Sequence, residues 1–126
     1  LERRLVAEIR RVLGRPEFPL VLSIIQAPVF HTYSVMTYFE LKDEAESADI
    51  EGLFKSAPFK MTPFRTSCEA TPLKVSGKDE IFVGQVKREP DNPRAFWIWL
   101  VADNLTRGAA LNAFDLARKI LGAETR

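Results

Sequence analysis

Arg94-Ala95-Phe96-Trp97-Ile98-Trp99-Leu100-Val101-Ala102 carries large apolar side chains at both parities. Successive residues of a strand point to opposite faces, so a strand here is greasy on both sides. Ile81 to Lys87 is the expected neighbour, joined to it through Glu89-Pro90-Asp91-Asn92-Pro93, a connection rich in turn residues. Helices can shelter only one side of the resulting sheet, because 126 residues with three helices lack the material for a second layer. A large bare apolar patch on a folded domain marks an interface. The uncovered face is therefore expected to meet a partner, most simply a second copy across a two-fold axis, with Phe82, Trp97 and Trp99 as interface residues. Which way each Trp points is left open.

Outward from that strand pair, the chain divides into alternating helical and extended segments. Leu5, Ile9, Val12 and Leu13 recur at helical spacing and Gly14 with Pro16 end the pattern, predicting a surface helix over residues 2–13. Leu20 to Ala27, short and bounded by Pro19 and Pro28, reads as a strand buried on both faces. Val29 to Lys42 has the period-2 pattern of a strand with one face inward. Glu46 to Ser56 places Ile50, Leu53 and Phe54 on one face of a short helix, with acidic residues early and Lys55 late. Residues 57–78 hold three prolines and predict only an edge strand near Lys60. The last element is a helix from about Arg107 to Leu121, with Gly122 as its stop. The order predicts an α+β fold: a mixed, mostly antiparallel sheet with helices on one face, in one domain over residues 1–126.

Composition narrows the chemistry. Eighteen Lys and Arg against seventeen Asp and Glu, interspersed along the chain, build no nucleic-acid footprint. One Cys and one His exclude an internal disulfide and a structural zinc site, which needs about four ligands. The longest apolar run falls far short of the roughly 20 residues that span a bilayer. No membrane role is expected, and a lone thiol suits a reducing, cytoplasmic setting. The six glycines form no G-x-G-x-x-G, so the chain does not itself grip a dinucleotide. Leu1-Glu2-Arg3-Arg4 opens without Met and already in helical register, which points to a piece of something longer.

Few residues are candidates for chemistry. Cys68 has no nearby base and no Cys-x-x-Cys partner, so it reads as a passive thiol. His31, beside Phe30 and Tyr33, is an acid/base candidate whose alternative is a packing role. Residues 102–113, Ala102-Asp103-Asn104-Leu105-Thr106-Arg107-Gly108-Ala109-Ala110-Leu111-Asn112-Ala113, are denser than a plain domain requires. Small residues at 108, 109, 110 and 113 permit close approach, and Asp103 or Asn104 can cap the helix.

Several of these stretches resemble one family. Gly77-Lys78-Asp79-Glu80-Ile81-Phe82-Val83-Gly84, Trp99-Leu100-Val101-Ala102-Asp103-Asn104-Leu105 and Gly108-Ala109-Ala110-Leu111-Asn112-Ala113 resemble the C-terminal half of aspartate-semialdehyde dehydrogenase. Glu2-Arg3-Arg4 through Leu13 and Pro28-Val29-Phe30 resemble the same domain's opening and next signature. The resemblance implies a glyceraldehyde-3-phosphate-dehydrogenase-like C-terminal domain that dimerises through its sheet. It also implies an N-terminal Rossmann domain, absent from this chain, that binds NADP and carries the nucleophilic Cys; Cys68 is not that residue.

The resemblance also exposes departures. The family pattern is similar to Arg-Val-Pro-Val-Phe-x-Gly-His-Ser, whereas this chain reads Gln26-Ala27-Pro28-Val29-Phe30-His31-Thr32-Tyr33-Ser34. Gln26 stands for the substrate-binding Arg and Tyr33 for the acid/base His. Gln lacks the charged fork that grips a carboxylate, and Tyr, with an ordinary pKa of about 10, is a poor base at neutral pH. His31 replaces the missing His only if the strand slips by two residues, which preserves its parity. Arg4 falls at a phosphate- or substrate-binding Lys, and Gly108 with Asn112 near the nicotinamide pocket.

The leading expectation is a dimerisation and substrate domain of a degenerate, catalytically inactive paralogue. Its rival is the C-terminal half of an active NADP-dependent semialdehyde dehydrogenase of amino-acid biosynthesis, using His31 or Tyr33. A stand-alone binding module is the third reading.

Overall fold

The computed structural model describes residues 1–62 and 69–122. Four strands form one sheet: β1 (Tyr33–Glu40), β2 (Phe59–Met61), β3 (Ile81–Glu89) and β4 (Asn92–Ala102), in the order β1-β4-β3-β2. β4 pairs antiparallel with both β1 and β3, and β2 lies parallel to β3 at the edge. The helices are α1 (Glu2–Val12), α2 (Ser47–Gly52), α3 (Pro72–Val75) and α4 (Asn112–Ile120), the last entered through a wide π-helical segment, Thr106–Leu111. This is the α+β class with a mixed, mostly antiparallel sheet.

The quoted strand lies at the centre because its two apolar faces need cover on both sides. Phe96, Ile98 and Leu100 point to one face, where they meet Val83, Phe39 and Ile50 of α2. Ile50 is buried, and Asp49 helps to start α2 by accepting the Glu46 N–H at 3.0 Å. Val101 and Trp99 belong to the opposite face with Phe82, Ala70 and Val75. There the single turn of α3, capped by Thr71 and not anticipated from the sequence, shields one end only. α2 and α3 thus lie on opposite faces, and neither face is wholly sheltered.

Trp97 and Trp99 both point to that second face, which resolves their orientation. Trp97 pairs across the ladder with Tyr38 and Lys87, and Trp99 with Met36 and Gln85. Phe82 is different from the interface residue expected: it is fully buried within the chain, between Val75 and Val101, and presents no surface to a partner.

Two other expectations are corrected. Residues 20–27 form no ladder; Val21 is 95% and Ile25 84% exposed. A strand greasy on both faces needs a neighbour, and this run is instead tethered beside α1, where Ile24 N–H donates to Glu2 Oε1 at 2.7 Å and Arg10 Nε to the Phe18 carbonyl at 2.8 Å. β1 begins at Tyr33 rather than near Val29, because Thr32 has φ +95° and interrupts the extended backbone. The C-terminal helix ends at Ile120, followed by Gly122 at φ +68°, but Phe114 and Leu121 stay exposed.

Gly84 explains how β3 accepts the indole of Trp99. It is the extra residue of a bulge between Val83 and Gln85. A Cβ there would lie 2.7 Å from the Ala70 Cβ and 2.8 Å from the Trp99 Cδ1, both inside van der Waals contact. Trp99 Nε1 meanwhile donates to the Ala70 carbonyl at 2.9 Å, so the ring has little room to retreat. Gly84→Ala is expected to destabilise the chain by about 1–3 kcal/mol in urea unfolding; an unchanged midpoint would show that this packing is looser than the distances indicate.

Candidate functional site

β4 leaves the sheet at Ala102, and the next two residues take hold of the two that precede β1. Asp103 is 1% exposed, and its carboxylate accepts N–H groups from Gly77 at 2.6 Å, Leu105 at 2.8 Å and Thr106 at 3.4 Å. It therefore caps the helical segment, as expected, and also reaches back to the turn after α3. The Gly77 N–H above all holds the Asp103 carboxyl below its ordinary range; burial opposes this, while the N–H groups of Leu105 and Thr106 and nearby His31 reinforce it.

His31 closes the cluster. Its Nε2 lies 2.5 Å from Ser76 Oγ and 3.5 Å from Asp103 Oδ2. An ionised Asp103 favours the tautomer with the proton on Nε2, which points that N–H at Ser76 and the carboxylate and leaves Nδ1 as the accepting nitrogen. Ser76 and Asp103 together orient the imidazole ring.

Thr32 is held by Asn104, whose Oδ1 accepts the Thr32 N–H at 2.7 Å. Its side chain is buried, and Oγ1 has no hydrogen-bond partner among the described residues. A β-branched residue in the left-handed region with an orphaned hydroxyl is costly twice over. The family pattern has Gly at this position, where a positive φ carries no side-chain penalty. Nothing in this chain's own residue pattern singles out Thr32. Nor does it single out Ser76, 45 residues from His31 along the chain.

Tyr33, 63% exposed, sits at the start of β1 opposite Ala102. A Cβ built at Gly108 would stand 3.9 Å from its Cε2, so the ring lies over the π-helical segment. Tyr33, His31 and Gly108 are therefore gathered at one end of the sheet. Arg4 is instead engaged by Glu8 at 2.8 Å on α1, a pairing that raises its pKa further. Gln26 lies exposed on the extended run, and Asn112 is exposed at the first turn of α4. Cys68 lies outside the described residues. Among the described residues no group of His, Cys, Asp and Glu is arranged to hold a metal ion, and no helix is long and apolar enough to cross a membrane.

The second candidate surface is the open part of the Trp face, a shallow hollow of about 340 Å³ lined by Met36, Gln85, Lys87, Trp97 and Trp99. Tyr38 and Trp97 pack there at 4.9 Å between ring centroids, and Trp97 Nε1 donates to Glu89 Oε2 at 2.8 Å. Met36 and Tyr38 remain about half exposed.

Two consequences are measurable. Thr32→Gly is expected to raise stability by about 1 kcal/mol, the strain and the orphaned hydroxyl outweighing the lost side-chain packing and glycine's backbone entropy; a lowered melting temperature would contradict this account. Because the folded-state pKa of Asp103 is depressed, its contribution is present above the unfolded value of about 3.9 and lost as pH falls through the folded one. Asp103→Asn should therefore flatten the acid limb of a stability-versus-pH curve, and an acid limb identical to that of the unmodified protein would refute the assignment.

Comparison with known proteins identifies the family and the fold. Residues 1–107 match the family model of the semialdehyde dehydrogenase dimerisation domain. The chain is 28% identical over 122 residues to aspartate-semialdehyde dehydrogenase of Bacillus subtilis, covering 94% of this chain and 35% of that protein. It is 30% identical over 121 residues to the USG-1 protein homolog of Azotobacter vinelandii, covering 96% and 36%. Its fold superposes on a probable aspartate-semialdehyde dehydrogenase from Pseudomonas aeruginosa with a TM-score of 0.85 at 29% identity, covering 97% of this chain and 36% of that one. The Vibrio cholerae aspartate semialdehyde dehydrogenase II in complex with ASA gives 0.86 at 20% identity, covering 98% and 37%. The chain spans about a third of the length of the curated relatives it matches. It belongs to the semialdehyde dehydrogenase dimerisation-domain family.

Proposed function

We propose that this chain is the dimerisation and substrate domain of an aspartate-semialdehyde-dehydrogenase-like protein that has lost the family's catalysis and retains self-association. The observation that carries the reading is the pair Gln26 and Tyr33. Gln26 offers an uncharged amide on an exposed run, and Tyr33 presents a phenol beside Gly108. Gln26 lacks the charged fork that grips a carboxylate, and Tyr33 stands in place of the family's imidazole. The strain accepted at Thr32, in the family's glycine position, fits a site no longer held to its original geometry.

In this reading the protein works in the cytoplasm as a homodimer through the open Trp face, Trp97 and Trp99 lying at the interface, without nucleic acid or membrane. An N-terminal Rossmann domain stands beside the chain in the whole protein. NADP, if bound, sits on that domain and supplies hydride transfer. Gly108 and the amide of Asn112, exposed four residues apart, suit the edge of a nicotinamide and not a pyrophosphate. Arg4 retains a positive charge for a phosphate, although Glu8 competes for it.

One observation favours the rival, an active enzyme: the His31 ring is oriented by Asp103 and Ser76. The two readings part in an assay of the intact protein with aspartate semialdehyde, phosphate and NADP. No dinucleotide reduction above the protein-free background is expected; turnover that His31→Ala abolishes would hand the chain to the rival. Trp97→Asp should yield a folded monomer in sedimentation, since the side chain lies on the open face, and a variant that remains dimeric would remove Trp97 from the interface.

A further inference from the structure

The open Trp face is apolar at its centre and carries opposite charges at one edge. Lys87 lies directly across the ladder from Trp97, on the rim of the hollow, and has no acidic partner among the described residues. Glu89, two residues on along β3, reaches the same indole: its Oε2 accepts the Trp97 N–H at 2.8 Å. Arg88 between them turns to the opposite face, where it pairs with Glu46 at 2.7 Å. One Trp is thus bracketed by one cation and one fixed anion, about 7 Å apart along the strand.

Covering this face brings Lys87 and Glu89 against the partner's surface, where an opposite charge is favourable and a like charge costly. A uniformly acidic or uniformly basic partner leaves one of the two charges unmatched. A second copy matches both. A two-fold axis lying in the interface and crossing β3 between the two residues reverses the strand direction, so that Lys87 of each copy stands over Glu89 of the other.

We infer that Lys87 and Glu89 key the open sheet face to a second copy of this chain, setting the register in which two copies pair. The inference rests on the self-association proposed above and adds to it the charges that select the partner and the pairing. Apolar area around Trp97 and Met36 supplies attraction, and the two charge pairs exclude slipped registers and foreign sheets.

The test is a charge swap in the intact protein, read by sedimentation, with circular dichroism confirming that each variant is folded. The unmodified protein is expected to be a dimer. Lys87→Glu and Glu89→Lys should each weaken self-association at least about thirtyfold, because each homodimer then sets like charges against one another twice. Mixing the two variants should restore a one-to-one dimer, since every Glu at 87 and 89 on one copy then meets a Lys on the other. The double variant should also dimerise alone. An unmodified protein that is monomeric at high micromolar concentration removes the self-association reading and this inference with it. A dimeric unmodified protein whose single variants pair undiminished, or whose weakened variants fail to rescue each other, overturns the inference alone and leaves self-association standing.

Discussion

The fold depends on β4 being paired on both edges and apolar on both faces. Such a strand satisfies its backbone within the sheet, but its side chains demand two layers of cover, and this chain supplies little more than one. α2 and the neighbouring loop pack on Phe96 and Ile98, while α3 and Ala70 shelter only the Phe82 and Val101 end of the other face. The indole of Trp99 fits between because Gly84 bulges and has no Cβ. What remains uncovered, around Trp97, Tyr38 and Met36, is the face proposed above to pair two copies.

The same strand also organises the polar end of the molecule. Where β4 exits, Asp103 and Asn104 clamp His31 and Thr32, so the entry of β1 and the exit of β4 are joined beyond the ladder itself. This joins the candidate site mechanically to the sheet. A buried carboxylate with three backbone donors is a structural device first, and His31 benefits from it by being oriented. Thr32 shows how much distortion the clamp tolerates, since a β-branched residue is held at positive φ with its hydroxyl unpaired.

Much of the architecture was legible. α1, the edge strand near Lys60, and the β3–β4 hairpin follow from periodicity and turn chemistry, which act locally. The strand expected over 20–27 was misread because hydrophobicity alone records that a segment seeks cover, not where the cover comes from; Val21 and Ile25 remain exposed in the single chain. α3 carries no sequence signal because four residues beginning with a proline show no period. Phe82 was placed at the interface for its neighbourhood to the Trp strand, whereas the chain folds its own Ala70 and Val75 over it.

The sequence by itself determined α1, the β3–β4 hairpin, the double apolar character of β4 and the departures from the family pattern at Gln26 and Tyr33, because each is written in residue type and spacing. Only the tertiary structure decided that both Trp side chains share the open face, that Lys87 and Glu89 flank one of them, and that Ser76 and Asp103 meet His31. Those relations arise from ladder register and from contacts between residues up to 72 positions apart, a proximity that local periodicity does not encode.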